Sequence, residues 1–443
     1  MPTVFQSIPV IAGIILLVVA ARVGGFAFHH ARLPRVVGEI FGGLVLGPTV
    51  LGAAVPEMHR WLYLRAEGPR LLAVVSWVGL VALMFVSGFE LRSLFSREDG
   101  RITGIMLLGA TVLPFLAGLA APLVFDLSRY AGPRGNTPAL VMVVGIAVAV
   151  TSIPVISKIF IDLGILDTRF ARLILAIAAV EDVALWVALA VATNLASDHG
   201  TSALRMVMTP LITVIFCTAA LMGLPRVLAG LLASSAGPAL RRRALPFALA
   251  LGVVSAFMAQ ALRINVVFGA FLAGAALGTV GGVEIDRAKA TLRRVSLAWF
   301  APVYFAIVGL RLDLRHHFAV SFFLGFLALC TVVKSAATVL AGRFAVRDWL
   351  STVNLAAALN ARGGPGIVLA TVAFDVHIID ERFFVALVLT AIVTSLMAGW
   401  WLRFVLARGW PLLHESVPSV RTVPSGFTVS GMALPSGGNA SAL

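Results

Sequence analysis

The sequence predicts an all-α polytopic membrane protein. Of its 443 residues, 60% are hydrophobic and only 12% charged, with a mean hydropathy of +1.01, against about 25% charged in a soluble domain. Apolar runs of roughly 20 residues recur from end to end, the length that crosses about 30 Å of hydrocarbon. The basic residues fall in short segments between those runs, the pattern of the positive-inside rule.

Thirteen spans are expected. The first four, 6–28, 34–54, 69–89 and 102–127, are continuous apolar runs. The fifth, 138–160, contains TSIP, and the sixth, 168–195, carries two adjacent acids. The seventh, 204–234, is the one that Pro225 and Arg226 could split. The eighth and tenth, 240–262 and 295–311, are plain, and the ninth, 265–282, is rich in small residues. The eleventh, 318–341, holds Lys334; the twelfth, 350–374, contains LNARGGPG; the thirteenth is 383–407. The first run has no basic leader or small-residue cleavage site ahead of it and is expected to be retained. Residues 1–408 thus form a transmembrane domain, and 409–443, rich in Ser, Pro, Gly and Val, read as a disordered extension.

The net charge of +14 has the size seen in nucleic-acid binders. Its scatter between apolar runs excludes that partner and points to a lipid bilayer. Alternate loops, among them His29 to Arg35, Arg241 to Arg243 and Arg287 to Arg294, hold most of the basic residues. Those loops are expected in the cytoplasm, with the N-terminus outside, the C-terminus inside, and the prokaryotic inner membrane as the location. Cys217 and Cys330 fall inside apolar runs and read as small packing residues, not a disulfide or metal site.

An internal repeat is visible. Gly38, Gly43 and Gly47 match Gly269, Gly274 and Gly278 in register, GFEL at 88–91 matches GLRL at 309–312, and Pro154 matches Pro365. The matching spans are the second and the ninth. An odd number of spans separates them, so the copies enter the membrane in opposite directions, as in secondary transporters.

Charges deep in a span cost at least about 2.5–3.5 kcal/mol each on insertion scales. Glu181 and Asp182 accept that cost side by side on one helix, and Lys334 is the lone mid-span lysine. A helix-locking ion pair needs one carboxylate; here there are two. Neighbouring carboxylates in a low dielectric favour holding a proton between them, and a dehydrated cation needs carboxylate oxygens, so the two compete for one site. TSIP, from Thr151 to Pro154, and LNARGGPG, from Leu359 to Gly366, read as broken helices, with Pro154, Gly363, Gly364 and Pro365 as the breaking residues. Thr151, Ser152 and Asn360 are expected to add oxygens beside Asp182, and Arg362 to neutralise freed carbonyls. Glu39 and Glu90 lie near span ends and read as structural. The eight histidines are expected in loops or the extension.

The stretches RLPRVVGEIFGGLVLGPTVLG, TSIPVISKIFIDLGILDTRFARLILAIAAVEDV and NARGGPGIVLA resemble the monovalent cation:proton antiporter-2 family, over about residues 5–408. The resemblance implies core and dimerisation bundles, two discontinuous helices crossing at the ion site, a homodimer and elevator-like alternating access. It implies that Asp182 is the ion-binding carboxylate for Na+ or K+ and that Lys334 pairs with the preceding acid. That acid is often Asp in the family; Glu181 is one methylene longer.

The expected activity is exchange of a monovalent cation for protons, with no cofactor. The alternative is proton-coupled export of a larger cationic or ionophore-like solute. An intramembrane aspartyl protease would need two facing aspartates, whereas neighbours on one helix point about 100° apart. No G-x-x-x-x-G-K-[ST] pattern occurs, so a gradient is the expected energy source.

Overall fold

The structure, a computed structural model, describes residues 4–31, 33–65, 68–89, 100–197, 203–262 and 266–414. Glu90, His199 and the extension beyond residue 414 lie outside the described residues.

Every long element is helical. The main helices are α1 (Val4–His30), α2 (Arg35–Leu46), α3 (Gly68–Phe89), α4 (Gly100–Leu119), α5 (Thr137–Ala149), α6 (Ile153–Asp162), α7 (Arg169–Ser197) and α8 (Leu211–Ala233). They continue with α9 (Ala244–Ala261), α10 (Val266–Gly278), α11 (Val283–Leu310), α12 (Val320–Ala345), α13 (Trp349–Leu359), α14 (Gly363–Asp375) and α15 (Glu381–Ala407). Among the described residues, eleven helices are long and apolar enough to cross a membrane, with α13 and α14 counted together; α5 and α10 are shorter apolar helices.

Pro225 does not split α8. The backbone widens into a π turn over Ala219–Gly223, and Pro225 follows at the start of the next stretch. The same device recurs in α4, where a π turn at Leu108–Val112 precedes Pro114, and in α11, where Ser296–Phe300 precedes Pro302. A proline lacks the N–H of an α-helical bond and its ring crowds the preceding turn; a locally wider turn absorbs both defects without breaking the span.

Glycines let the helices approach closely. On α2, Gly38 faces the backbone of Gly24 in α1 and Gly43 that of Ala306 in α11, while Gly47, just past the end of α2, faces Leu310 of α11. On α10, Gly269 faces Ser255 of α9, while Gly274 and Gly278 face Phe85 and Phe89 of α3. Gly88 of α3 packs on Phe271 and Ala275, and Gly309 of α11 packs on Ile40 and Leu44, which lie 231 positions earlier.

The interior lies around α13 and α14, whose apolar window is 94% buried, against 22% for α8 and α12. Two sequence expectations need correction. Not every histidine lies in a loop: His29 and His30 lie in the last turn of α1, and His59 sits in a one-turn helix, Pro56–His59, where it is buried against Tyr63. The extension starts later than Gly409, because the compact unit runs through Leu413. Asn354 Nδ2 donates to the carbonyls of Pro411 and Leu412 and holds that stretch down.

Candidate functional site

The two helix breaks meet. The first runs from Val150 to Ser152, between α5 and α6; the second from Asn360 to Arg362, between α13 and α14. The Ser152 N–H donates to the Ala361 carbonyl at 2.6 Å, and Thr151 Oγ1 lies 2.7 Å from the Leu359 carbonyl. Each break therefore satisfies backbone groups of the other, which hydrocarbon could not do.

The residues expected to break the helices start the second halves instead. Pro154 lies in the first turn of α6, where a missing N–H costs nothing, and Pro365 does the same in α14. Gly363 has a positive φ of 28°, and a Cβ there would lie 2.8 Å from Ser152 Oγ. Only glycine fits both constraints. Gly364 donates its N–H to Ser152 Oγ at 3.1 Å.

Arg362 is buried and uses its guanidinium on the carbonyl ends. It donates to Ala147 and Val148 of α5 at 3.0 Å each, to Cys330 at 2.6 Å, and to the Asn360 carbonyl and Oδ1. A cation at a helix C-terminus is favoured by the dipole.

Lys334 reaches in from α12, fully buried. Its ammonium donates to Glu181 Oε1 at 2.6 Å, to Thr151 Oγ1 at 2.6 Å and to the Ala149 carbonyl. Glu181 Oε2 lies 2.9 Å from Thr151 Oγ1. Glu181, Lys334 and Thr151 thus tie α7, α12 and the first break together. The extra methylene of Glu181 is compatible with that pairing.

Asp182 turns elsewhere. The residue is 4% exposed and borders a cavity of about 10 Å³, room for roughly one water-sized sphere. Ile146 of α5, Val150 of the first break, Pro365 and Leu369 of α14, and Leu185, Trp186 and Leu189 of α7 form the rest of its wall. Trp186 is backed by Phe268 and Phe271 of α10.

The expected oxygen set is not gathered on that wall. Thr151 belongs to the Glu181–Lys334 cluster. Ser152 Oγ accepts from Val155 N in α6 and from Gly364 N in α14, one hydroxyl capping two helices. Asn360 Nδ2 donates to Ser335 and to the Ala356 carbonyl, while Oδ1 accepts from Arg362. The cause is common to all three: the breaks free backbone groups, and the nearest polar side chains satisfy them. Ser395, which donates to the Ala391 carbonyl and accepts from Gly363 N, was missed in the sequence. A serine amid the apolar residues of the last span was its only signal. Glu39 packs beside Gly25 of α1.

Among the described residues no cluster of three or more His, Cys, Asp or Glu could hold a resident metal ion. Spanning helices, two of them interrupted, and buried charge where the interruptions meet define a membrane transporter. The chain belongs to the sodium/hydrogen exchanger family, whose transmembrane model matches residues 14–408. The resemblance carried by the three motifs therefore holds at family level, and the family is one of secondary transporters, not enzymes. Cation/H(+) antiporter 15 of Arabidopsis thaliana is 27% identical over 390 residues, 86% of this chain and 46% of that protein. The chain spans about half the length of such plant relatives. Na(+)/H(+) antiporter NhaS4 of Synechocystis sp. is 26% identical over 408 residues, 88% of this chain and 95% of its own. The solved structure of the sodium proton antiporter MjNhaP1 from Methanocaldococcus jannaschii at pH 8 matches with a TM-score of 0.59. At 14% identity over 91% of this chain and 97% of that one, the likeness is one of fold.

Proposed function

We propose that this chain exchanges a monovalent cation, Na+ or K+, for protons across the membrane, with ion and proton competing for Asp182. The observation that carries the reading is the division of the acidic pair. Glu181 is held by Lys334. Asp182, the next residue on the helix, borders a cavity the size of one small ion. A dehydrated cation or a protonated carboxyl is of the size that fits there. Membership of the exchanger family and the names of the relatives support the same chemistry.

In the proposed cycle Asp182 binds the cation as a carboxylate. Protonation from the opposite side neutralises it and releases the ion. Backbone of Val150, which lines the cavity, would help complete the ion's shell in place of Thr151, Ser152 and Asn360. Lys334 and Arg362 hold the breaks rigid through the exchange.

The architecture that goes with this reading has thirteen crossings: the eleven long helices, α5 continued by α6, and α10. The matched contacts of Gly88 and Gly309, and of the glycines on α2 and α10, support two inverted repeats. One bundle, α4–α7 with α12–α15, would carry the site and move; the other, centred on α1–α3 and α9–α11, would form a homodimer. The loop charges orient the N-terminus outward and the C-terminus into the cytoplasm, in the inner membrane of a prokaryote.

The test is transport in proteoliposomes of the purified chain. A proton gradient is imposed, internal pH is followed with a dye, and Na+, K+ or Li+ is added in turn. The gradient should collapse on addition of the transported ion, and Asp182→Asn should abolish the response while melting near the parent. Silence to every ion from folded protein would overturn the antiport reading and favour a larger exported solute.

A further inference from the structure

A second cavity lies on the other side of the second break. It occupies about 340 Å³ between α12, α13 and α15, within the range of small-molecule sites. Its wall is largely apolar, with Thr331, Ser335 and Asn360 at the inner end and Trp400 and Trp401 at the outer. No Asp, Glu, Lys, Arg or His is among the described residues that line it. Trp400 and Met397 are strongly exposed, at 66% and 49%. On a membrane-spanning helix such an apolar rim faces lipid, so the cavity opens sideways into the bilayer.

The polar end is placed for a ligand. Thr331 Oγ1 is buried and makes no hydrogen bond among the described residues. A hydroxyl in a helix has a ready acceptor in the carbonyl a turn earlier, and leaving it unpaired is costly. Asn360 Nδ2 donates to Ser335 Oγ at 2.9 Å, and its Oδ1 accepts from Arg362 Nη1 at 3.0 Å. Arg362 in turn holds the Ala147 and Val148 carbonyls. Two hydrogen-bonded steps therefore connect this cavity to the end of α5, which borders Asp182.

We propose that this cavity is a regulatory site for a neutral amphipathic molecule drawn from the bilayer. The molecule would carry one hydroxyl or carbonyl head. The head meets Thr331 and Ser335; the apolar body lies along α15 toward Trp400. A charged head is disfavoured because no counter-charge is among the described residues of the wall. At about 30 Å³ per water-sized group, the cavity takes a body of about ten such groups. A hydroxyl head that donates to Ser335 Oγ competes with Asn360 Nδ2 for that oxygen, and the same Asn360 side chain accepts from Arg362 at its Oδ1. The effect on exchange rests on the antiport reading; binding does not.

Binding is measured on the full chain in lipid nanodiscs, with 1-decanol as probe and 10-bromo-1-decanol as its tryptophan-quenching analogue. Quenching should contain a saturable part that 1-decanol displaces, and Trp400→Phe/Trp401→Phe should remove that part. Ala357→Phe, which fills the cavity, should abolish displacement, and the near-isosteric Thr331→Val should weaken it by about two- to tenfold. Decane should displace less well than decanol. Quenching that rises linearly with probe and is unchanged in Thr331→Val would overturn the site, whether or not Ala357→Phe folds. Equal displacement by decane would overturn the polar head. Exchange that is insensitive to saturating decanol, in a chain shown to exchange, would overturn the regulatory role.

Discussion

Removing the Lys334 ammonium should loosen the whole centre. Lys334→Met keeps the length of the side chain and deletes three donated hydrogen bonds, to Glu181 Oε1, Thr151 Oγ1 and the Ala149 carbonyl. Glu181 then sits fully buried without its cation. Breaking a buried pair from one side costs about 3–5 kcal/mol. Thr151 Oγ1 keeps the Leu359 carbonyl within reach, so the further loss is concentrated at Ala149, at about 1–3 kcal/mol for a carbonyl left unpaired. Glu181→Met should cost a similar 3–5 kcal/mol, because it strands the ammonium instead. The double substitution replaces the pair by apolar groups and removes the stranded charge; only the freed Ala149 carbonyl and a weakened Thr151 remain, about 1–3 kcal/mol. The two singles are thus strongly non-additive, with a coupling of several kcal/mol. Unfolding of all four proteins by titrated SDS in mixed micelles measures the cycle. Singles that lose less than about 1 kcal/mol, or a double mutant as unstable as the sum of the singles, would refute the view that this ion pair ties α7, α12 and the first break together.

Three more outcomes follow from the geometry. Ser152→Ala removes one oxygen that caps both α6 and α14, so stability in the same assay should fall by about 1–2 kcal/mol, the upper part of the usual cap range. In Gly43→Ala the new methyl would meet the Ala306 backbone, with its Cα at 2.8 Å; α2 and α11 must part, at a cost of about 1–3 kcal/mol, checked by melting in detergent. Burial lowers the His59 imidazole below its ordinary value of 6.5, so the folded state favours the neutral ring. Its contribution is present above that value and is lost as pH falls through the lower folded one. Melting curves between pH 7.5 and 5 should therefore fall less steeply for His59→Gln than for the parent.

The sequence showed the spans, the breaks and the buried charges, because each rests on a local rule. Hydrocarbon tolerates few ionisable groups, so Glu181, Asp182 and Lys334 stand out in their apolar runs, and Pro154 with the Gly363–Gly364–Pro365 run marks where helix bonding stops. The partners of the polar residues were not legible. Thr151, Ser152 and Asn360 are near the right place, but their bonds run to Leu359, Gly364 and Ser335, 208, 212 and 25 residues away. Spacing along one helix says which face a residue occupies, not which half-helix end arrives opposite. The intact α8 was hidden for a related reason: Pro225 does break α-helical bonding, and only the widened turn before it shows how the chain continues.

That pattern of satisfied ends bears on how the centre could move. Four half-helix ends point into the protein, and each is closed by groups of its own neighbourhood. The α5 carbonyls take Arg362 and Lys334. The α6 end takes Ser152 and the Ala361 carbonyl. The α13 carbonyls take Thr151 and Asn360, and the α14 end takes Ser152 and Ser395. Every donor and acceptor in that set comes from α5–α7, from α12–α15 or from the breaks between them. In the proposed two-bundle arrangement, a bundle closed in this way would shift against α1–α3 and α9–α11 without exposing an unpaired backbone group to lipid. Asp182 is a charged group of this centre that borders a cavity. Its wall is shared with Trp186, which packs against Phe268 and Phe271 of α10, across the boundary between the two proposed bundles. Sliding at that boundary would change what covers Asp182 and leave the four helix ends as they are, which is the mechanical condition for presenting one carboxylate to two sides in turn.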